Sequence, residues 1–334
     1  MLRRLALTLT GMAILCTALP FATARAQSPQ FVAKIVKAAG NAESLENATL
    51  LRMAQLVKER TKGAVEIEPL FGSQFGSEPE MLENVRLGSI QAAYVTTAGS
   101  GSLIPQVLVL DLPFLMTSSD QALAATNGKA FDMLSKYYDE ADLHLAALWD
   151  YGFRNPVGTF PIATMDDVKG KKIRVKESKL SVAMWEAIGA NPTPMAWGEV
   201  QNALLTKTID GYDTTGSAYW DLKLYEAAPY YTKLPMTYVV YTIAFSKAWW
   251  DQLPAEYQKI IDETAREMAP VTHHLMELEA VKGPLRAASQ GGAKIGEIAD
   301  LTPYVEKMKP LWTSWAAEVS GGQELIDAVV AAGK

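Results

Sequence analysis

From Phe31 to Glu68 the chain reads FVAKIVKAAGNAESLENATLLRMAQLVKERTKGAVEIE. Phe31–Val36 is an apolar, strand-like run. Leu50, then Met53 or Ala54, then Val57 keep helical spacing, and Gly63 follows as a stop. Val65-Glu66-Ile67-Glu68 then alternates as a strand does. The stretch therefore predicts strand, helix, strand: one βαβ unit of an α/β fold with mostly parallel sheets.

The pattern continues outward. Ser77-x-x-Glu80 is a capping box with Pro79 at an early helical position, and that helix is expected to run to Gly88. Ile90–Val95 reads as the next strand, ending in Thr96-Thr97. The second half repeats the plan. Lys172–Val175 is a short strand, Leu180–Ile188 a helix stopped by Gly189, Glu199–Leu205 a helix, and Ile209–Asp213 a strand ending in Thr214-Thr215. Glu80…Ile90…Tyr94…Thr96-Thr97-Ala98-Gly99-Ser100 matches Glu199…Ile209…Tyr212…Thr214-Thr215-Gly216-Ser217 with a one-residue slip. Two ordinary helix–strand units could match by chance. Alternatively, two similar lobes each end a strand at a shared crevice, where open α/β sheets bind ligands. Leu143–Trp149 is an apolar strand. Pro254 to about Ala280 is a long helix that could start at Ser246 or Asp251 and that Gly283-Pro284 should end; it is long enough to brace two lobes. Pro303–Lys334 reads as further helix with a break at Gly321-Gly322.

Composition bounds the class. With 334 residues, 49% hydrophobic and 20% charged, the chain is globular and large enough for about two domains. Its net charge is −6 and it has no basic block, which argues against nucleic acid as a partner. Residues 1–26 read as a secretory signal: Arg3-Arg4, an apolar run from Leu5 to Leu19, and Ala24-Arg25-Ala26 before Gln27. The run is shorter than the roughly 20 residues of a membrane span; an uncleaved anchor is the alternative. Arg3-Arg4-Leu5-Ala6-Leu7 matches a twin-arginine signal weakly. Cys16, the sole cysteine, lies inside the run after Ile14-Leu15, a poor lipidation context. The exported chain would then have no disulfide, thiolate metal site or cysteine nucleophile, and would sit in a bacterial periplasm.

Catalytic signatures are sparse. His144 lies in an apolar strand and reads as packing. His273 and His274 point about 100° apart on a helix, and no zinc-binding spacing accompanies them. No Gly-x-Ser-x-Gly elbow, Walker loop or dinucleotide fingerprint occurs. Carboxylates are plentiful, so paired-acid hydrolysis stays open. No metal and no cofactor is expected. Two arginines carry the chemistry. Alternation puts Arg174 on the face opposite Ile173 and Val175, and Arg154 follows the strand Leu143–Trp149. An arginine at a strand end needs an anionic partner, either a protein carboxylate or a ligand carboxylate, because burying a lone charge costs several kcal/mol. A plain surface or structural role is the alternative.

From Lys34 to about Met308 the chain resembles the solute receptors of tripartite ATP-independent periplasmic (TRAP) transporters, the C4-dicarboxylate-receptor-like family. Ser73-Gln74-Phe75-Gly76-Ser77-Glu78 with Met81-Leu82-Glu83 resembles the family's Ser-Gln-Leu-Gly segment. Leu110-Asp111-Leu112-Pro113-Phe114-Leu115 resembles its Leu-Pro-Phe motif. Gly152-Phe153-Arg154-Asn155 and Lys169–Val175 resemble its two arginine segments. Gly189–Val200 is the strongest match, with Trp197 where the family commonly has Phe, and Asp210-Gly211 opens the next motif. The resemblance implies a two-lobe periplasmic binding protein with crossing hinge strands and a long bracing helix. Lobe I would hold residues 28–151 plus 240–280, and lobe II residues 152–239 plus 281–334.

The resemblance also implies the site. Arg174 would pair with a ligand carboxylate, Arg154 would support it, and Trp197 would pack on the ligand. Glu78, Thr96 and the loop near Ala38 would close from the other lobe. Asp213 and Thr214 would line the site, and Tyr151, Tyr219 or Trp220 would add apolar contact, although Tyr219 and Trp220 could equally be core. Where many members read Asp-Gly-Gln-Glu-Asn-Pro, this chain has Asp210-Gly211-Tyr212-Asp213-Thr214-Thr215. Thr214 thus replaces an amide with a single hydroxyl, which argues against a heavily hydroxylated acid such as sialic acid, and the clustered aromatics point to a smaller or partly apolar carboxylate. The implied function is a non-enzymatic receptor that passes an organic acid anion to the small and large TRAP membrane subunits. A module feeding a sensor and a periplasmic carboxylate-dependent enzyme are the alternatives.

Overall fold

The computed structural model describes residues 28–40 and 44–334. The leader read at residues 1–26, with Cys16, lies outside the described residues. The N-terminal βαβ unit is present: β1 (Phe31–Lys37) and β2 (Val65–Phe71) run parallel, with α1 (Leu45–Arg60) between them. Leu50, Met53, Ala54 and Val57 are all buried, so the 3.6-residue period picked the core face correctly. α2 (Glu78–Arg86) starts at the capping box, where the Ser77 amide donates to the Glu80 carboxylate over 2.8 Å. β3 (Ala92–Thr96) lies parallel to β1 and runs into the short α3 (Thr97–Ser100).

α4 (Ser119–Asn127) and α5 (Lys129–Glu140) lead to β4, which spans Leu143–Gly158 and so extends well beyond the apolar segment ending at Trp149. Its second part carries Arg154 and Asn155, polar residues that interrupt the hydrophobic run without ending the strand. β5 (Lys172–Val175), α6 (Lys179–Ala187), β6 (Asn191–Pro194), α7 (Val200–Leu205), β7 (Gly211–Thr214) and α8 (Gly216–Asp221) repeat the alternation. β8 (Tyr230–Lys233) and β9 (Thr237–Ser246) follow, then α9 (Lys247–Trp250), α10 (Ala255–Gly291), β10 (Lys294–Glu297), α11 (Thr302–Met308), α12 (Pro310–Glu318) and α13 (Gly322–Ala331).

The strands order as β2-β1-β3-β9-β4-β7-β5-β6, with β8 pairing β4 and β10. The sheet is mixed, not mostly parallel. Each half keeps parallel pairs, but β3–β9, β4–β9, β4–β7 and β4–β8 are antiparallel. The reason is the shared strand β4. It pairs β9 from Leu143 to Arg154, then β7 from Asn155 to Gly158. A register shift between Asp150 and Gly152 leaves Tyr151 as the extra residue, with Gly152 at φ +89°. Glycine tolerates that backbone without a Cβ penalty, and the bulge turns the strand from one half into the other.

α10 overturns one expectation: it does not end at Gly283-Pro284 but continues to Gly291 and stops at Gly292, φ +72°. Gly283 is a contact position. It meets the Gly216 backbone of α8, and a Cβ on Gly216 would lie 2.6 Å from the Ala280 carbonyl oxygen. Two helices that close can cross only where both lack side chains. Pro284 costs a backbone bond, and the packing of α10 on α8, β4 and α1 holds the helix through it. At 1.5 Å per residue α10 is roughly 55 Å long, touching elements of both halves.

α13 buries Leu325 and Val329, and the Val329 carbonyl accepts from the Gln121 side chain of α4 at 3.0 Å. His144 packs as read, stacked on Trp250 at 3.7 Å and bonded to Asp262.

α10 also clamps β4. The Trp149 indole donates to the Ala265 carbonyl at 2.8 Å, and His273 Nδ1 lies 3.0 Å from both Asp150 oxygens. The bond to Asp150 raises the His273 pKa above its ordinary 6.5, although burial opposes it. The folded state therefore holds this proton more tightly than the unfolded chain. The stabilisation is fully present below about pH 6.5 and fades as pH rises through the higher folded value. In urea unfolding, His273→Gln is expected to be less stable than the wild type in mild acid, with the gap narrowing as pH rises. A gap that does not change with pH would remove the proton linkage.

Candidate functional site

The ends of β3 and β7 face each other across one cavity. Each ends in threonines that start a short helix: Thr96 accepts from the Gly99 amide at 3.2 Å, and Thr215 from the Ala218 amide at 3.3 Å. The repeat read in the sequence is thus the same local device used twice, strand then threonine cap. Thr96, Thr214 and Thr215 all line the cavity, with Ala38, Ala39, Glu78, Tyr151, Arg154, Arg174, Lys176, Trp197, Ala218, Val239 and Tyr241. Its free interior is about 50 Å³, and it opens to a wider mouth of about 520 Å³ bordered by Ser73, Glu78, Glu80, Glu177 and Glu199.

The two arginines have different environments. Arg154 is buried and gripped by Asp213: Nε lies 2.6 Å from Oδ2 and Nη2 3.0 Å from Oδ1, and Nη2 also reaches the Asp213 carbonyl. Burial opposes both charges, yet each partner outweighs it. The Arg154 pKa is raised and the Asp213 carboxyl is held below its usual range. Arg154 and Asp213 are therefore a neutralised pair.

Arg174 has no carboxylate at ion-pair distance among the described residues. Its Nε and Nη2 donate to the Met195 carbonyl at 2.9 and 2.7 Å, and its guanidinium lies 5.5 Å from the Trp197 ring. Nη1 is buried with no hydrogen-bond partner. Burial, with the Arg154 charge next, pushes its pKa down to about 10, so it remains a cation at neutral pH. Strand alternation is the reason it is here: Ile173 and Val175 point into the core and Arg174 away from them.

From the other side, Glu78 at the start of α2 accepts from the Thr96 amide at 3.1 Å and from the Thr96 hydroxyl at 2.5 Å. Beneath them, the buried Lys37 ammonium lies 5.0–5.7 Å from the rings of Tyr94, Tyr151 and Tyr241. Tyr151 and Arg154 both reach the cavity although three residues apart. Strict alternation forbids that; the bulge at Tyr151 supplies the change of phase.

Eight of the sequence-predicted site residues thus meet in one place: Ala38, Glu78, Thr96, Tyr151, Arg154, Arg174, Trp197 and Thr214. Three do not line it. Asp213 lies behind it, as the partner of Arg154. Tyr219 is core, its hydroxyl donating to the Ala228 carbonyl at 2.9 Å. Trp220 stacks on Tyr225 at 5.6 Å, under Arg286. Both turn away because α8 starts at Gly216 and points its second turn into the adjoining apolar cluster. Lys176 and Tyr241 were missed. The signal for Lys176 was available, since it lies two positions after Arg174. Tyr241 is brought in by the β9–β4 pairing, which local sequence does not reveal.

Residues 35–318 match the profile of bacterial extracellular solute-binding protein family 7, DctP. The chain belongs to this family. It is 30% identical over 279 residues to a solute-binding protein of Chromohalobacter salexigens, covering 83% of this chain and 81% of that one. A TRAP periplasmic solute-binding protein from the same organism, solved with D-glucuronate, superposes with a TM-score of 0.84 at 27% identity, over 90% of this solute-binding protein and 99% of the other. One from Desulfovibrio salexigens, solved with orotic acid, gives 0.85 at 29%, over 90% and 98%. This solute-binding protein shares their two-lobe α/β fold, as the resemblance implied. The family is one of receptors. Among the described residues there is no group of side chains arranged to hold a metal, and no helix long and apolar enough to cross a membrane.

Proposed function

We propose that this receptor binds the carboxylate of a small organic acid on Arg174, between two lobes, and delivers it to the small and large membrane subunits of a TRAP permease. The observation that carries this reading is Arg174 Nη1, a buried cationic donor at the cavity with no protein acceptor. An unpaired buried charge costs several kcal/mol, and a planar carboxylate answers guanidinium geometry. Trp197, Tyr151 and Val239 supply the apolar wall against which the rest of the ligand would pack. One or two charge-assisted hydrogen bonds contribute about 1.5–3 kcal/mol each, short of the about 8 kcal/mol of a micromolar complex, so that wall has to contribute. The acids held by the two solved relatives, D-glucuronate and orotic acid, both carry a carboxylate.

Lobe I would comprise residues 28–151 plus 240–280 and lobe II residues 152–239 plus 281–334, with α13 reaching back to α4. The crossings of β4 and β9 would be the hinge, and ligand contacts from both sides favour the closed arrangement. The leader at residues 1–26 would export the chain to the periplasm.

The test is a thermal-shift screen of the chain from Gln27, unfolded and refolded to strip carried ligand, against small acids, neutral sugars and amines. A ligand at 100 times its Kd adds about 2.7 kcal/mol, enough for a shift of several degrees. Hits confined to carboxylates are expected. Hits among neutral sugars or amines alone would remove Arg174 from its role.

A further inference from the structure

Arg174 is not the only cation at the cavity with donors to spare. Lys176 follows two positions later, just past β5, and lines the same cavity and its mouth. Its side chain is nine-tenths buried, at 10% exposure. Its Nζ makes no hydrogen bond, and Asp111 Oδ1 stands 3.8 Å away, beyond hydrogen-bond range. A lysine kept only for structure would satisfy its ammonium on protein acceptors, as Arg154 does on Asp213. Residues i and i+2 of a strand share a face about 7 Å apart, and Arg174 and Lys176 border the same cavity and mouth, with Lys176 also bordering the small pocket behind it that holds Asp111.

We propose that Lys176 is a second ligand-binding group, and that the preferred ligand carries, besides the carboxylate on Arg174, a further oxygen acceptor held by Lys176. This rests on the carboxylate reading of Arg174. Asp111, at 3.8 Å, offsets the Lys176 charge only in part, since burial raises the Asp111 pKa against the pull of Lys176. Nζ can donate to a neutral hydroxyl or oxo oxygen or to a second carboxylate, and the shared chemistry is the oxygen lone pair.

The proton linkage of Lys176 supplies a distinctive readout. Burial, then the Arg154 charge, pushes its pKa down to about 8, while Asp111, Glu78 and Asp213 pull the other way. Arg174 and Glu177 flank it in the chain. An oxygen acceptor placed on Nζ favours the protonated form. Binding at about pH 8 should therefore take up a fraction of a proton, and affinity should fall as pH rises further. Arg174, at about 10, stays charged there.

The experiment is titration calorimetry with matched acid pairs: D-glucuronate and cyclohexanecarboxylate, orotate and benzoate, malate and butyrate. Each is run at about pH 8 in two buffers of different ionisation enthalpy. The wild type is expected to prefer the oxygen-bearing members and to take up protons with them. Lys176→Met should weaken those members about ten- to a hundred-fold, weaken the oxygen-poor members by clearly less, through the lost charge alone, and abolish the proton uptake. If the single variant does not fold because Asp111 is orphaned, the double variant Lys176→Met/Asp111→Asn serves, since it removes both charges. A wild type that binds no oxygen-bearing member, or a variant that keeps the preference and the proton uptake, overturns the proposal. Arg174→Ala separates the two readings: it should weaken both members of every pair, and if it weakens neither, the carboxylate reading itself has failed.

Discussion

Arg174→Ala is expected to lower affinity for every acid that scores in the screen by on the order of 10²–10⁴-fold, the loss of one or two charge-assisted hydrogen bonds and the charge behind them. Calorimetry measures it. Fold stability should change little. The variant leaves the Met195 carbonyl without its two donor contacts, a cost of about 1–3 kcal/mol. It also removes a buried cation that burial and Arg154 already disfavour. Arg174→Lys should recover only part of the affinity, because an ammonium keeps the charge but cannot span Met195 and a ligand carboxylate with one rigid fork. Acid affinities within twofold of the wild type in Arg174→Ala would falsify the assignment.

Asp213→Asn is expected to have the largest effect on the fold, and for the opposite reason. Asp213 is the counter-charge of a buried arginine, at 2.6 Å and 3.0 Å. Removing one partner of such a pair costs about 3–5 kcal/mol, because the remaining charge stays buried and uncompensated. The melting midpoint should fall by on the order of ten degrees. The pH dependence follows from the depressed Asp213 pKa. The pair's contribution is complete above the unfolded carboxylate value of about 3.9 and is lost as pH falls through the lower folded value. Wild type and variant should therefore differ fully at neutral pH and converge in strong acid. Urea unfolding across that range measures it, and a variant as stable as the wild type at pH 7 would show that Arg154 finds another acceptor.

The two variants separate roles that the sequence leaves alike. In the sequence Arg154 follows an apolar run and Arg174 alternates with Ile173 and Val175, and either could be answered by an anion of the protein or of a ligand. Only the neighbours decide which anion: for Arg154 it is Asp213, supplied by β7, the strand it pairs with. For Arg174 the facing protein atom is the Met195 carbonyl, and Nη1 has no protein acceptor. The same distinction moved Asp213 out of the cavity, since its position at a strand end is compatible with either role.

Local periodicity was enough for much of the architecture. The βαβ unit at Phe31–Glu68, the capping box at Ser77, the strand Lys172–Val175 and the two threonine-ended strands are all short-range patterns, fixed by residues within a turn or a strand of one another. The face of Arg174 is also local, because alternation needs only its neighbours. What local sequence does not contain is pairing. The antiparallel joints of β9 and β4, the arrival of Tyr241 at the cavity and the turning of Tyr219 and Trp220 into the core depend on partners tens to hundreds of residues away. Gly283-Pro284 shows the same limit from the other side. As a dipeptide it signals an end, and the crossing of α10 over α8 makes it a point of contact instead. The sequence by itself thus determined the elements just named, the face of Arg174 and, through resemblance, the family of this protein. Tertiary structure alone decided which buried arginine meets a carboxylate of the protein and which keeps a donor without a protein acceptor, because that depends on which atoms a long-range fold brings within 3 Å of a guanidinium.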